Sequence, residues 1–165
     1  MIIKIKCNNS IPIPRIYEKG DWIDLYSSED IILNHPKINN KEIIFDTKLI
    51  SLGIQMKLPK GFEALLAPRS SSFKEFGIMQ INSPGIIDNS YCGNNDTWKF
   101  QVLSLSGTKI KKGDSICQFR IQLSQNASFW QKIKWLFSKK IKFKIVDNLS
   151  NNNRGGFGTT NKLKI

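Results

Sequence analysis

Along the chain, apolar positions recur mostly at every second residue, in short runs broken by glycine, proline, asparagine and serine. "IIKIK" at residues 2–6 and "KFKIV" at 142–146 alternate apolar side chains with lysine, the period of a strand that turns one face to a core. "KEIIFD", "FEALLAP", "GIMQI", "TWKFQVLSL" and "SICQFRIQL" are β-branched or aromatic runs of strand length. So many short strands predict an all-β domain, a sandwich, jelly roll or small barrel, rather than a βαβ fold. One segment departs from the pattern. In "ASFWQKIKWLFSKK", Phe129, Ile133 and Leu136 or Phe137 fall at helical spacing and predict one short helix near residues 128–138. Trp130 and Trp135 widen its apolar surface, and the face formed by Phe129, Ile133 and Phe137 is expected to pack on its own subunit or on a neighbouring one. The last stretch, residues 151–165, has no periodicity and reads as a flexible arm after a single domain of residues 1–150.

A chain of 165 residues, 40% hydrophobic, is long enough to bury a core. No apolar run approaches the roughly 18 residues of a membrane span, and lysines interrupt the first residues where a signal peptide needs continuous apolar sequence. A cytoplasmic protein is expected. Cys7, Cys92 and Cys117 are odd in number and widely spaced, so they read as reduced thiols rather than a disulfide framework or zinc knuckle. With His35 the single histidine, a Ser-His-Asp triad, a Cys-His pair and a His-rich metal site all fall away. An enzyme built on this sequence works through carboxylates and bound metal. The net charge is +12, of which +9 lies between Lys109 and Lys144 and only +3 elsewhere. That basic region reads either as solvated surface or as attraction for an anion. With its aromatic residues, it leaves a nucleic-acid or protein partner through residues 128–140 as an alternative.

Five stretches carry candidate chemistry. "DWIDLYSSED" holds Asp24 beside a strand, where a solvated strand-end acid is the plain alternative. "APRSSSFKEFG" offers Arg69 and a serine run that can hold phosphate or simply form a polar turn. "GIIDNSYCG" sets Asp88 and Tyr91 three residues apart, with Asp88 expected to lie buried between Ile86, Ile87 and Tyr91 as a base or as a structural acid. "KKGDSICQ" reads as a turn into a strand carrying Gln118. "RGGFGTT" looks like a phosphate loop but lacks GxxxxGK[ST] and a following helix.

In this order the five stretches resemble the motifs of the homotrimeric dUTPase family. The third, GxIDxxYxG, is matched at Gly85, Ile87, Asp88, Tyr91 and Gly93, and the resemblance runs from about residue 20 to 160. It favours the diphosphatase over deoxycytidine triphosphate deaminase, which shares the fold. The resemblance implies a jelly-roll trimer with shared active sites that hydrolyses dUTP to dUMP and pyrophosphate, limiting uracil in DNA and supplying dUMP. Asp88 would be the general base toward the water attacking the α-phosphate. Tyr91 would lie under the deoxyribose, and Asn82 would sit at the uracil edge. Ser70, Ser71 and Gln118 would hydrogen-bond phosphate oxygens, Arg69 would support their loop, and Asp24 would hold a water of a Mg²⁺ on the triphosphate. Phe157 would stack on the base, with Arg154, Gly158, Thr159 and Thr160 closing over the terminal phosphates. Three departures stand out, one of them the link "SQNASFWQKIKWLFSKK" between the fourth and fifth stretches, longer than the family's usual one. Trp22 and Ile23 precede Asp24 where the family carries small residues, and Arg154 lies three rather than five residues before Phe157.

Overall fold

The computed structural model describes residues 1–7, 11–16, 20–138, 140–149 and 152–156. Its strands in chain order are β1 (Ile2–Cys7), β2 (Ile23–Tyr26), β3 (Ile31–Leu33), β4 (Lys37–Asn39), β5 (Glu42–Ile44), β6 (Thr47–Ser51) and β7 (Ile54–Lys57). They continue with β8 (Phe62–Pro68), β9 (Ile78–Gln80), β10 (Gly85–Asp88), β11 (Lys99–Ser104), β12 (Thr108–Ile110), β13 (Ser115–Leu123) and β14 (Lys142–Ile145). Two short helices, α1 (Ser72–Phe76) and α2 (Phe129–Leu136), interrupt them. The all-β expectation holds, but α1 is an additional helix. Its five residues are too few to show a helical period, and its left-handed end at Gly77 (φ 59°) closes it with a bond from Gly77 N–H to the Phe73 carbonyl.

The sheet that carries most of the candidate chemistry has the order β10-β8-β13-β2, antiparallel throughout. Alternation decides its faces. Phe62, Ala64 and Leu66 of β8 and Phe119 and Ile121 of β13 point into the core, while Glu63, Leu65, Arg120 and Ile86 point the other way. A bulge between Ser115 and Cys117 shifts the β13 register against β2 and turns both Ile116 and Cys117 inward. Two three-stranded sheets, β14-β1-β7 and β6-β11-β9, supply the facing layers. In β1 the lysine alternation does what the sequence pattern demands: Ile3 and Ile5 are fully buried and Lys4 is outside. Trp98 and Phe119 meet edge to face at the core centre, ring centroids 5.2 Å apart.

Helix α2 forms where the sequence predicts it, held at its start by a capping box between Ser128 and Gln131. The packed face is different from the expected one. Gln131 also donates to the Lys60 carbonyl, and Trp135 packs on Phe62 at 5.3 Å, so the helix leans on the start of β8 through positions four residues apart. In the single chain Phe129 and Phe137 are 68% and 79% exposed, as are Trp130 and Leu136 to a similar degree, so of the two expected packings, on its own subunit or on a neighbouring one, these side chains do not make the first. The capping contact and the turn at Gly61 (φ 85°), where a Cβ would strike the Gln131 amide, fix the helix rotation so that Trp135 meets Phe62.

Candidate active site

The candidate residues fall into two groups on one sheet. In the first, Asp24 of β2 pairs across from Gln118 of β13, which pairs across from Ala67 of β8. The chain leaves β8 at Pro68 and places Arg69 beside Asp24, with Nε 3.2 Å from Oδ2 and Nη1 donating to the Ser115 carbonyl at 3.1 Å. The bulge in β13 presents that carbonyl. Ser72 pins the same corner from below, since its buried hydroxyl accepts from the Arg69 N–H and donates to the Ile116 carbonyl. Gln118 donates from Nε2 to the Pro68 carbonyl at 3.1 Å. Ser70 stands exposed on the turn, and the buried hydroxyls of Ser71 and Ser115 lack a hydrogen-bond partner among the described residues. Orphaned hydroxyls beside a guanidinium and an amide suit an oxyanion. Burial and the Asp24 charge push the Cys117 thiol beneath them well above its ordinary value, against the pull of Arg69.

The second group lines a cavity of about 200 Å³ bounded by Asn82, Asp88, Tyr91, Lys99, Arg154 and Gly156, with Trp98 at its base. Gln80 donates to the Leu66 and Asn82 carbonyls and so braces the turn that carries Asn82. Asp88 ends β10 on an exposed position, contrary to the expectation of burial. Gly85 and Ile87 take the inward positions of the strand, which leaves Ile86 and Asp88 facing out. The Ser90 backbone N–H, donating to Asp88 Oδ1 at 2.6 Å, fixes the carboxylate. That bond first, then the Ser90 side chain and the Arg154 charge, hold Asp88 below the usual carboxylate range despite some desolvation. Tyr91 closes the turn by donating from its N–H to the Asp88 carbonyl, and its hydroxyl donates to the Thr97 carbonyl at 2.9 Å. Burial and the charge of Asp96 raise the Tyr91 phenol.

The chain thus brings Asn82, Asp88, Tyr91 and Arg154 together in one cavity and Asp24, Arg69, Ser70, Ser71 and Gln118 at another corner. Asp88 pairs with Glu63 at the start of β8 and Gln118 with Ala67 near its end. Four residues of strand rise and two strand spacings separate them by about 17 Å, on the same outward face. Phe157, Gly158, Thr159 and Thr160 lie outside the described residues, as does Lys139 of the basic segment. Sequence reasoning missed Gln80, Lys99 and above all Asp96, the acid that this region does bury, at 1% exposure. Its signal was present in "GNNDTW": a carboxylate three residues after a glycine and two before a core tryptophan, with no basic residue beside it to solvate.

The dUTPase family profile matches residues 10–134. The SPbeta prophage-derived deoxyuridine 5'-triphosphate nucleotidohydrolase YosS of Bacillus subtilis is 44% identical over 143 residues, covering 87% of this chain and 85% of its own length. The deoxyuridine 5'-triphosphate nucleotidohydrolase of Finegoldia magna is 30% identical over 165 residues, covering 97% of this chain and 99% of its own. Among solved structures, the dUTPase of Streptococcus mutans superposes with a TM-score of 0.62 at 19% identity, covering 75% of this chain and 98% of that one. A dUTPase of Staphylococcus aureus phage phi11, described with a structural Mg(II) ion, gives 0.62 at 15% identity, over 77% of this chain and 94% of that one. These likenesses define the fold as a jelly roll. The chain belongs to the dUTPase family. Among the described residues, no helix is long and apolar enough to cross a membrane.

Proposed function

We propose that this protein hydrolyses dUTP to dUMP and pyrophosphate. The observation that carries the proposal is the cavity shared by Asn82, Asp88, Tyr91 and Arg154. Water attacks the α-phosphorus, a new P–O bond forms, the bond to the bridging oxygen of the leaving pyrophosphate breaks, and Asp88 takes the proton of the attacking water. A carboxylate held low by hydrogen bonds stays ionised at neutral pH, and its exposed position admits a water. Tyr91, anchored at both ends of its ring and backbone, gives the sugar a rigid floor that rejects a 2′-hydroxyl. Asn82 meets the uracil edge from a turn braced by Gln80. The enzyme would thereby limit uracil in DNA and supply dUMP.

The phosphates take the other corner, where Ser70, Ser71 and Gln118 donate and Arg69 supports the loop. Asp24 is a single half-buried acid with one oxygen paired to Arg69, which fits a carboxylate holding a water of Mg²⁺ rather than a protein-built cage. Asp24 would hold Mg²⁺ there through water, and the ion would supply neutralisation of triphosphate charge. The two corners are about 17 Å apart by strand geometry, whereas a base at the α-phosphate and an acid holding a metal on the same triphosphate have to lie side by side. That separation, with exposed Ile86 and Arg120 on the face between, supports a homotrimer whose sites pair the Asp88 corner of one copy with the Asp24 corner of the next. Phe157 would stack on the uracil, with Gly158, Thr159 and Thr160 over the phosphates.

Pyrophosphate release measured with dUTP, dCTP, dTTP and UTP, with and without Mg²⁺, tests the proposal. A preference for dUTP of at least about 100-fold in kcat/KM is expected, the ratio that one unpaired group or steric clash of about 3 kcal/mol produces. Equal turnover of dCTP or UTP would overturn the roles of Asn82 and Tyr91.

A further inference from the structure

We infer that Asp96 is a positioning residue that latches residues 152–156 onto the β10–β11 connection of their own chain and so brings Arg154 to the Asp88 cavity. This rests on the function proposed for that cavity. Three consecutive residues read the returning chain in order. Asn94 accepts from the Leu149 N–H at 3.0 Å and donates to Asn148, and the Asn95 N–H donates to Asn153 Oδ1 at 2.8 Å. Asp96 accepts from the Arg154 N–H at 2.9 Å through Oδ2 and from the Gly155 N–H at 3.0 Å through Oδ1.

The geometry requires these residue types. Gly155 sits at φ 71°, a left-handed conformation that lets two successive N–H groups converge on one anion. Asp96 also accepts from the Gly93 N–H at 2.8 Å, so both of its oxygens are committed to donors. An amide in its place turns an NH₂ group toward at least one of them. Gly93 is needed for a second reason, because a Cβ there would come within 2.5 Å of the Asn153 Cα. Gly156 passes over Tyr91 so closely that a Cβ would lie 3.2 Å from the ring. Burial alone raises the Asp96 carboxyl, yet the N–H groups of Arg154, Gly93, Gly155 and Cys92 outweigh it and keep the group ionised below the usual range. Arg154, held by its backbone, then lines the cavity with its side chain and lowers Asp88.

The test uses the full-length protein and trypsin, for which Arg154–Gly155 is a cleavable bond whose scissile N–H is one of those that Asp96 holds. Cleavage follows the population of the opened segment. Asp96→Asn should speed appearance of the product ending at Arg154 by about tenfold, the ratio expected for one lost charge-assisted hydrogen bond. Cleavage after Lys99 in β11 should not change, which a general loosening of the fold would not permit. The kcat/KM for dUTP should fall by a similar factor of about ten. A folded Asp96→Asn protein cleaved at Arg154 at the wild-type rate would overturn the latch. If that variant does not fold, Gly155→Ala, which strains the returning segment alone, decides in the same way. A wild-type protein inert toward dUTP would overturn the proposed function and leave the latch to be judged by cleavage.

Discussion

Replacing Asp88 by asparagine separates the chemistry of the cavity from its architecture, because the structure assigns the two very different costs. The side chain is exposed, and its principal contact is the Ser90 N–H donating to Oδ1 at 2.6 Å. An asparagine oxygen accepts the same bond. What the fold loses is the negative charge facing Arg154, an interaction in contact with solvent and worth at most about 1 kcal/mol. For a domain of this length that is a shift in Tm of no more than about 4 °C. On the mechanism proposed above, what the reaction loses is its base. Positioned bases contribute about 10²- to 10⁴-fold, or roughly 3 to 5 kcal/mol of barrier. The Asp88→Asn protein should therefore melt close to wild type and bind a non-hydrolysable dUTP analogue. Its pyrophosphate release at saturating dUTP and Mg²⁺ should fall by at least about 100-fold. A variant that folds, binds and turns over within about tenfold of wild type would refute the assignment, since one decade is only about 1.4 kcal/mol and needs no lost base.

The pH profile follows from the same group. Asp88 is held below its ordinary value, so the ionised, active form persists as pH falls through the usual carboxylate range near 3.9, and the acid limb of kcat/KM from this group should lie below that value. The matching stability contribution is present above the unfolded value and lost as pH falls through the folded one; an acid limb near pH 6 in kcat, where ionisation of free dUTP plays no part, would assign the base to another group. At the other end of the molecule, Trp135→Ala should cost about 2 kcal/mol, half the usual loss for a fully buried aromatic, because the ring packs on Phe62 from one side only. Trp130→Ala, 75% exposed, should stay within about 0.5 kcal/mol in thermal melts, and equal losses at the two tryptophans would contradict the helix rotation described above.

Strand existence was legible because both faces of most strands are committed. In β1 and β13 the inward residues Ile3, Ile5, Phe119 and Ile121 alternate with lysine, arginine or glutamine, and period two survives in the sequence. The faces of α2 were not legible. Spacing gathers Phe129, Trp130, Ile133, Leu136 and Phe137 within about a third of its circumference, yet the contact with its own chain is made on another side, by Gln131 reaching Lys60 and Trp135 reaching Phe62 across long sequence separations. The division of the candidate site into two corners was equally hidden, because motif order along a chain says nothing about which end of a strand each motif occupies. It takes the register of Asp88 against Glu63 and of Gln118 against Ala67 to show it.

The two acids of "GIIDNSYCGNNDTWKF" show where parity overrules local hydrophobicity. Asp88 sits among isoleucines and a tyrosine and reads as the buried acid, whereas Asp96, among asparagines and a threonine, is passed over. The structure reverses them. In β10, Ile86 and Asp88 share the outward phase, so an exposed isoleucine beside the acid reports the phase of the strand, not burial. Asp96 is covered from two sides, by its own turn through the Gly93 N–H and by residues 152–156, whose N–H groups it accepts; the local window "GNNDTW" contains only the first. Each acid then has the environment its proposed task needs: Asp88 an open carboxylate with one fixed oxygen and access to water, Asp96 a closed one with both oxygens spent on backbone. A base must exchange protons with what enters the cavity, and a clasp must not. Exchanging their burial would leave Asp88 without its water and Arg154 without its anchor.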